Sequence, residues 1–354
     1  MGSQALTTGA SILGAVMALR GFRRALRLPA LPVGPVSDPL PGLSVILPAR
    51  NEADLLPRAL SSLQAARYPG PFEVIVVDDG SVDGTGSIAR HMGARVLRVE
   101  GPPPGWLGKP YAAHQGASIA YGEWLLFTDA DTWHHPDSPA SAVARALQGR
   151  WDGLSLFPAF EVRDLLEAAV LAAAFAGLFA ALRSFEGLLN GQYILLKRSV
   201  YEASGGFATV RNALLEDLAL GQHLRAGGWR LTFLDGRRAV RARMSRSTFH
   251  LLTAMARWGG GTLEFSGMAG AGAALVVAGS AAPLTVLLQR GWRQSALPWA
   301  VVTLGLFPWA HRMGRPEAAF LGPLAAAWVA GASLGGWLGR RFGWGLPWKG
   351  RRVL

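Results

Sequence analysis

Short apolar runs alternate with amphipathic stretches between residues 43 and 128, and this alternation predicts the core of the fold. The apolar runs are aliphatic or β-branched and short, as buried parallel strands are: Leu43–Leu47, Glu73–Val77, Arg95–Val99 and Trp124–Thr128. The stretches between them carry apolar residues at helical spacing: Asp54–Ala66, Gly84–Met92 and Pro110–Tyr121. This repeated order predicts an α/β fold with a mostly parallel sheet and helices on both faces. Ligands of such sheets bind at the carboxyl ends of the strands, so the polar residues there are candidate site residues.

Both ends of the chain contain long stretches without charge. Met1–Leu19 has no charged side chain and is followed at once by arginines, the reverse of a signal peptide, which favours an uncleaved anchor. Phe265–Gln289 and Ala318–Gly339 are also uncharged, and each can cross a bilayer core about 30 Å thick. Gln294–Ala310 is shorter, and we expect it to be re-entrant or interfacial. The ends therefore predict transmembrane helices on either side of the α/β domain.

These patterns divide the chain into three predicted regions. Residues 1–40 form a membrane anchor and a Pro-rich linker, residues 41–249 form the catalytic domain, and residues 250–354 form an interfacial and transmembrane region. Gly259-Gly260-Gly261 is expected to be a flexible joint near the second boundary. Ala168–Leu182, inside the predicted catalytic domain, is uncharged and has two interpretations: a core helix, or an interfacial helix that dips into lipid.

The charge of the chain favours a membrane partner over a nucleic acid. The formal net charge is +12, yet only 16% of the residues are charged and 50% are hydrophobic. Many basic residues flank the apolar runs and form no stripe interleaved with aromatics, which fits contact with anionic lipid. We therefore expect a multi-pass protein of the cell membrane with a cytoplasmic catalytic domain.

The chain contains no cysteine, which excludes thiolate catalysis and cysteine zinc sites.

Two adjacent carboxylates, Asp78 and Asp79, end the second predicted strand within the segment VVDDGSVDGT. Carboxylates at a strand end can accept hydrogen bonds from a nucleobase or a ribose, and the glycines let backbone approach a ligand. The alternative is an Asp/Gly turn with a helix cap supplied by Asp83. The segment is a candidate nucleoside site.

Asp129 and Asp131 follow the fourth predicted strand in the segment FTDAD. Carboxylates at positions i and i+2 just past a strand can present oxygens to one hard cation, Mg²⁺ or Mn²⁺, which also takes diphosphate oxygens. Such a cation stabilises a departing nucleoside diphosphate as a Lewis acid. This pair predicts a metal and diphosphate site.

Glu216 and Asp217 begin a predicted helix in the segment LEDLALG. Acidic residues in a first turn stabilise a helix through its dipole, by about 0.3–1 kcal/mol. The functional interpretation is a general base that removes a proton from an acceptor hydroxyl as the hydroxyl attacks an anomeric carbon. Of the two, Asp217 is the preferred base.

The motifs PARNE at residues 48–52, VVDDGSVDGT, DAD, GGF at residues 205–207 and LEDLALG follow one another in this order. This series, spread over about two hundred residues, resembles the family 2 glycosyltransferases. The resemblance implies a GT-A fold, which is Rossmann-like, and a nucleotide-diphosphate sugar donor, with UDP-sugars favoured. It also implies a divalent metal and inversion at the anomeric carbon.

The resemblance assigns roles by motif. Asp217 would be the base, and Asp129 and Asp131 would hold the metal and the diphosphate. The residues that would lie near the nucleoside come from the first two strand ends: Pro48, Arg50, Glu52, Asp78 and Asp79.

Two further segments, GWLGK at residues 105–109 and Asn190-Gly191-Gln192, are similar to membrane-bound hopanoid-associated and carotenoid glycosyltransferases. Lys109 would contact the donor phosphate, and Gln192 would lie on the acceptor or diphosphate side. Arg257-Trp258 would lie there too. Processive members of the family carry Q-x-x-R-W, and Ala254 stands at the glutamine position here, which argues against a processive polymerase.

The sequence therefore predicts metal-dependent, inverting transfer of a sugar to a membrane lipid such as a carotenoid, a hopanoid, a glycerolipid or a polyprenyl phosphate. One alternative is a GT-A-like nucleotidyltransferase, which needs a basic phosphate loop after the first strand; PARNE supplies one arginine and no glycine. The other is a non-catalytic membrane scaffold, against which the intact acidic motifs argue.

Overall fold

The computed structural model describes residues 2–182, 184–265, 267–348 and 351–353. The chain divides into two compact units. The sheet unit consists of Pro29–Phe160 and Ser184–Arg243, and the helical unit consists of Met1–Leu28, Glu161–Arg183 and Met244–Leu354. The segment around residues 161–183, which falls within the catalytic domain predicted from sequence, thus belongs to the helical unit.

The strands, in chain order, are β1 Leu43–Ala49, β2 Phe72–Asp79, β3 Arg95–Val99, β4 Trp124–Phe127, β5 Thr132–His134, β6 Gly153–Phe157, β7 Ala159–Phe160, β8 Ile194–Lys197, β9 Leu231–Asp235, β10 Val240–Ala242, β11 Leu346–Trp348 and β12 Arg351–Val353. The α-helices are α1 Gly2–Leu26, α2 Leu56–Gln64, α3 Thr85–His91, α4 Gly108–Ile119, α5 Ser138–Gly149, α6 Leu165–Ala181, α7 Arg198–Ala203, α8 Glu216–Ala226, α9 Thr248–Phe265, α10 Gly267–Arg290, α11 Trp292–Arg312 and α12 Gly322–Arg341. Short 3₁₀ helices span Gly206–Val210 and Pro316–Leu321.

The main sheet of the sheet unit has the strand order β3-β2-β1-β4-β8-β6-β9. Its pairs are parallel except those that β8 makes with β4 and β6, which are antiparallel. The predicted α/β fold with a mostly parallel sheet is therefore confirmed, and all four strands predicted from the apolar runs are present. A second, small sheet has the order β5-β10-β7.

The strands form because both of their faces are buried against helices. Along β1, Val45 and Leu47 lie in a core cluster on one face, while Ile46 lies in a second cluster on the other. On that second face, α4 lies so close to the sheet that a Cβ on Gly116 would be 2.9 Å from a Val77 methyl. This two-sided burial explains the near-continuous apolar runs of the sequence.

The helical unit packs its helices through small residues. Gly14 of α1 lies against Gly279 of α10, where an added Cβ would come within 3.1 Å of backbone. Trp309 of α11 donates its indole N–H to the Ala18 carbonyl of α1 over 2.9 Å. Close approach of backbones at glycine is a common way for helices to pack in membranes.

One feature of the helical unit differs from the sequence predictions, and another agrees with them. Gly259-Gly260-Gly261 is not a joint, because these residues lie inside α9, where Gly259 packs against Ser333 of α12. The apolar run Ala168–Leu182 is helical, as both of its interpretations require, and makes up most of α6. This helix is anchored at its start by Asp164, whose carboxylate accepts a hydrogen bond from the Glu167 N–H over 2.8 Å. Glycine serves packing in α9, which the sequence pattern alone does not indicate.

In the described part of the chain, two helical segments have the length and the apolar composition to cross a membrane: Ala5–Leu26 and Pro316–Arg341. The first matches the predicted anchor but continues through the arginines that follow it. The second contains the predicted segment Ala318–Gly339. Of the predicted segment Phe265–Gln289, Ser266 lies outside the described residues.

Candidate functional site

The carboxyl edge of the main sheet brings together motifs that are far apart in sequence. β1 and β2 run in parallel register with Ala49 opposite Asp78, so the two strands end side by side. β4 pairs with β1 on its other side, and Asp129 lies just past its end. Because β8 is antiparallel to β4, it begins at this same edge. There, Thr128 Oγ1 donates a hydrogen bond to the Gln192 carbonyl over 2.8 Å, which fixes the start of β8 beside the DAD motif.

The loops that follow β1 and β2 are bonded to each other through side chains. The Asn51 N–H donates to Ser81 Oγ, and Asn51 Oδ1 accepts from the Val82 N–H, each over 3.0 Å. The Glu52 N–H donates to Thr85 Oγ1 over 2.8 Å. Asn51 adopts a φ of 53°, in the left-handed region that asparagine tolerates better than most residues. The two loops therefore form one bonded surface, with Glu52 buried in it.

Both aspartates of the VVDDGS segment are buried. Asp78 Oδ1 accepts from the Ser81 N–H over 2.9 Å, and Asp78 Oδ2 lies 3.6 Å from the guanidinium of Arg98 on β3. Arg50 donates through Nη1 to the Asp79 carbonyl. Asp78 thus shapes its own turn, in line with the alternative interpretation of this segment, and the contact of both aspartates with a nucleoside stays a prediction.

An acid–lysine cluster, made of Lys109, Asp129, Glu216 and Asp217, lies at this edge. The Lys109 Nζ is 2.7 Å from Asp129 Oδ1 and 3.1 Å from Glu216 Oε1. The lysine comes from the first turn of α4, Asp129 from the end of β4, and the other two acids from the first turn of α8. Three carboxylates around one ammonium leave an excess of negative charge, which attracts a further cation.

Gly191 lies against this cluster and contributes its backbone. The Gly191 N–H donates to Asp217 Oδ2 over 2.7 Å, and the Leu218 N–H donates to Asp217 Oδ1 over 2.8 Å. A Cβ on residue 191 would lie only 2.8 Å from the Lys109 Nζ. Glycine therefore lets the backbone reach the carboxylate and leaves room for the ammonium.

Burial and neighbouring charges set the protonation of the cluster. Desolvation is the largest influence on Asp217, and with repulsion from Glu216 it raises the pKa of Asp217 to about 6, against the opposing effect of Lys109 and the two N–H donors. Desolvation alone lowers the pKa of Lys109, but attraction by Asp129, Glu216 and Asp217 outweighs it, so this pKa lies above its ordinary value. Lys109 therefore stays an ammonium, and Asp217 has a pKa suited to a general base near neutral pH.

The donor set of the cluster fits a divalent cation that arrives with a diphosphate. Among the described residues, no three or more His, Cys, Asp or Glu side chains form a ready-made metal cage. Mg²⁺ and similar ions commonly take only one or two protein carboxylates and fill their remaining positions with phosphate and water oxygens. Asp129 faces the Lys109 ammonium, so its carboxylate lies in a position where a cation can be held.

The other predicted metal ligand, Asp131, and the first residue of the PARNE motif, Pro48, both lie in the sheet unit. The Asp131 carbonyl accepts from the Arg243 N–H over 3.0 Å, and Thr132 Oγ1 donates to Asp131 Oδ1 over 3.4 Å. Pro48 pairs with Val77 in the last part of β1. Their contacts with a metal or a nucleotide stay predictions.

The residues predicted for the acceptor or diphosphate side are divided between the two units. Gln192 is buried in the sheet unit, where its Oε1 accepts from Asn190 Nδ2 over 3.3 Å. Arg257 and Trp258 are in α9 of the helical unit, and the Trp258 ring packs edge to face against Phe175, with 5.6 Å between ring centroids. The role of these residues toward an acceptor stays a prediction.

Sequence patterns do not reveal the contacts of the site that depend on backbone groups or on pairing between distant segments. Gly191 belongs to a recognisable motif, but its hydrogen bond to Asp217 depends on the antiparallel β8, which the apolar pattern does not predict. The sequence pattern identifies Arg98 only as a residue of a strand and does not predict its pairing with Asp78. The sequence signal for this contact is a second arginine in the short strand β3, which pairs with a strand that ends in two aspartates.

Relatives of this chain are found by sequence. Residues 44–161 match the model of the family described as glycosyl transferase family 2. Proteins named 4,4'-diaponeurosporenoate glycosyltransferase, from Staphylococcus haemolyticus (strain JCSC1435) and Staphylococcus aureus (strain USA300), are 31% and 30% identical over 218 and 226 residues. The alignments cover 58% and 59% of this chain, and the chain spans 58% of the length of each relative.

A solved structure has a similar fold. A mannosyltransferase from Pyrobaculum calidifontis, in complex with GDP-Man and Mn²⁺, superposes with a TM-score of 0.59 at 20% sequence identity, over 92% of this chain and 97% of that chain. This similarity confirms the GT-A fold that the motifs imply.

Proposed function

We propose that this chain, whose residues 44–161 are a glycosyl transferase family 2 domain, transfers a sugar from a nucleotide-diphosphate sugar to a hydroxyl group of a membrane lipid. The observation that carries the proposal is the acid–lysine cluster at the carboxyl edge of the sheet. It joins a DAD carboxylate, a lysine and a carboxylate with a raised pKa in one compact group.

The residues of the cluster have complementary tasks in this reaction. Asp217, held by two backbone N–H donors, accepts the proton of the acceptor hydroxyl as the hydroxyl oxygen attacks the anomeric carbon. Attack from the face opposite the leaving diphosphate inverts the configuration at that carbon. Lys109 places a positive charge where the diphosphate leaves.

Asp129 and Asp131 are the residues that would hold the divalent cation, Mg²⁺ or Mn²⁺. When bound, that cation neutralises the charge that develops on the departing nucleoside diphosphate. The mannosyltransferase of similar fold was solved with Mn²⁺, which supports this part of the proposal.

The nucleoside would lie on the surface formed by the bonded loops after β1 and β2. Asp78 and Asp79 end β2 there, and Arg50 and Glu52 belong to the loop after β1. We favour a UDP-sugar as the donor, and parallel assays with radiolabelled UDP- and GDP-sugars identify the nucleotide. Release of free sugar from a nucleotide sugar by the purified protein separates this proposal from a nucleotidyltransferase and from a non-catalytic scaffold.

The rate of transfer should rise as the pH increases through about 6, because Asp217 accepts a proton only when it is ionised. At lower pH its protonated fraction grows, and kcat/KM should fall about tenfold for each further pH unit. Initial rates measured at fixed metal and donor concentrations, from about pH 4.5 to pH 8, test this expectation. A rate that is constant over this range would show that the proton of Asp217 takes no part.

The helical unit supports the assignment of a lipid acceptor. Among the described residues, the exposed large hydrophobic side chains belong to the helical unit, apart from Val82, Tyr121 and Leu147. An apolar surface of this extent is typical of contact with lipid. We propose that this unit is embedded in the cell membrane, with the sheet unit in the cytoplasm. The relatives named for 4,4'-diaponeurosporenoate, a carotenoid, support an apolar acceptor.

Labelled product should partition into organic solvent. Membranes that contain the protein are incubated with a radiolabelled nucleotide sugar, and the product is extracted between organic solvent and water. We expect the transferred label in the organic phase, because the acceptor is a lipid. Membranes that carry an Asp217→Asn variant of the protein are the matched control for label transferred by other enzymes. Label found only in the aqueous phase, as free oligosaccharide, would refute the lipid acceptor and leave the sugar transfer intact.

A further inference from the structure

We infer that Lys109 is an internal counter-cation which occupies Asp129 while the donor is absent and which a divalent cation must displace. Lys109 then lowers the affinity of the empty enzyme for free metal, so that the metal enters together with the nucleotide diphosphate. This inference rests on the proposed function, because it needs Asp129 to be a metal ligand.

The first support is the position of the ammonium. The Lys109 Nζ lies 2.7 Å from Asp129 Oδ1, the distance of a charge-assisted hydrogen bond. A Mg²⁺ ion bound to the same oxygen would lie about 2.0–2.1 Å from it, so both cations would crowd one carboxylate. Because the two cations repel each other, binding of the metal to Asp129 and binding of the Lys109 ammonium to Asp129 exclude each other or are strongly coupled.

The second support is that Lys109 can leave Asp129 without losing its partners. Its ammonium also lies 3.1 Å from Glu216 Oε1, and the charge of Asp217 attracts it as well. The lysine side chain is a flexible stem with three donors, unlike the rigid fork of arginine. A small rotation therefore frees Asp129 while Glu216 keeps the ammonium in the site, where a diphosphate oxygen can accept a hydrogen bond from it.

The third support is the room that the chain leaves for the Lys109 ammonium and the access that solvent has to it. Residue 191 is glycine, and any Cβ there would lie 2.8 Å from the Lys109 Nζ. The exposed fraction of the Lys109 side chain, 31%, also leaves it accessible to an entering ligand.

The test measures binding of Mn²⁺ to the full-length protein without nucleotide, by isothermal titration calorimetry or by the electron paramagnetic resonance of free Mn²⁺. Lys109→Gln should bind Mn²⁺ about tenfold more tightly than the wild type, within the usual range of coupling between two ligands. Lys109→Arg keeps the charge and should bind it as weakly as the wild type. The matched control is Lys197→Gln, whose lysine pairs with Asp152 over 3.1 Å and has similar exposure; its affinity should stay within about twofold.

A second variant keeps the inference testable if Lys109→Gln does not fold. Thermal unfolding of each protein shows whether it is folded. Gly191→Ala retains Lys109 but places a methyl group against its ammonium, and it too should bind Mn²⁺ more tightly than the wild type. Unchanged Mn²⁺ affinity in a folded Lys109→Gln protein, or in Gly191→Ala if the former does not fold, would overturn the inference. Sugar transfer by the wild type distinguishes this failure from that of the proposed function: it persists when only the counter-cation role is wrong, and it is absent when the proposed function is wrong.

Discussion

Replacement of Asp217 with asparagine should lower kcat by about 10²- to 10⁴-fold, the range that loss of a general base produces. Asparagine keeps the size of the side chain but cannot accept the proton of the acceptor hydroxyl. The carboxylate makes no contact that the donor requires in the proposed geometry, so the dissociation constant of the donor should stay nearly unchanged. Single-turnover rates and donor titrations on the same preparation measure the two quantities separately.

The structure indicates which controls this experiment needs. Asp217 accepts from two backbone N–H groups, through Oδ2 and Oδ1, whereas asparagine has one oxygen and can serve only one of them. A modest loss of stability, about 0.5–1.5 kcal/mol, is therefore expected, and thermal unfolding must accompany the kinetics. Glu216→Gln should reduce kcat less, because Glu216 pairs with Lys109 and is not the preferred base. Asp38→Asn, at an exposed position, controls for removal of a negative charge.

The size of the decrease in kcat also indicates whether the acceptor is a hydroxyl or an ionised group. A hydroxyl must lose a proton when it attacks, whereas a carboxylate is already ionised at neutral pH and needs no base. The relatives are named for a carboxylate-bearing carotenoid. If kcat and donor affinity both stay normal in Asp217→Asn, the acceptor is an ionised group and the hydroxyl assignment fails. Loss of donor affinity with normal turnover would instead assign Asp217 to donor binding.

The parallel part of the sheet is predictable from sequence because its strands are short, apolar and buried on both faces. Side chains of β1 and β2 alternate between two core clusters, so most positions in them are apolar and each run ends where the polar motif begins. Because each apolar run ends where a polar motif begins, the pattern of residues alone predicts that Asp78 and Asp129 lie at strand ends. The rule that parallel strands end at one edge then brings the motifs together.

The rest of the site cannot be predicted in this way, because it depends on pairing between distant segments. β8 is four residues long and antiparallel, so no repeated strand–helix unit signals it. Gly191 lies just before β8, and its N–H bonds to Asp217, which comes 26 positions later in the sequence. The motifs predict that Lys109 contacts the donor phosphate, whereas its contact with Asp129 depends on how α4 and β4 meet in three dimensions.

The glycines of α9 show a different limit of sequence patterns. Three consecutive glycines indicate flexibility in water, because glycine has the largest conformational freedom to lose. In a helix that packs closely on another, glycine provides the space for contact, as Gly259 of α9 does against Ser333 of α12. Gly336 of α12 does the same against Ala256 of α9. The identity of the residue is the same in both cases, and only the neighbouring helix decides between them.

Removal of divalent metal should abolish sugar transfer. EDTA is expected to reduce the rate about 10²-fold or more, since Lewis-acid stabilisation of a leaving diphosphate is worth several kcal/mol, and added Mn²⁺ or Mg²⁺ should restore it. Asp129→Asn should show a similar loss that excess metal does not repair, because the carboxylate at the end of β4 is gone. Asp152→Asn is the matched control, since Asp152 also pairs with a lysine, at 3.1 Å, and should retain full metal-dependent activity.

The two parts of this experiment fail in different ways. Full activity of the wild type in EDTA would remove the metal from the reaction and leave Lys109, the cation 2.7 Å from Asp129, as the group that stabilises the diphosphate. In that case Asp129→Asn should still impair transfer, because it removes one of the two carboxylates that position Lys109. Metal dependence that persists unchanged in Asp129→Asn would instead shift the ligand role to Asp131 or to Glu216, which lies on the other side of the ammonium. The charge balance of the cluster, with three carboxylates around one lysine, favours neither of these failures but the expected result: activity that requires both the metal and Asp129.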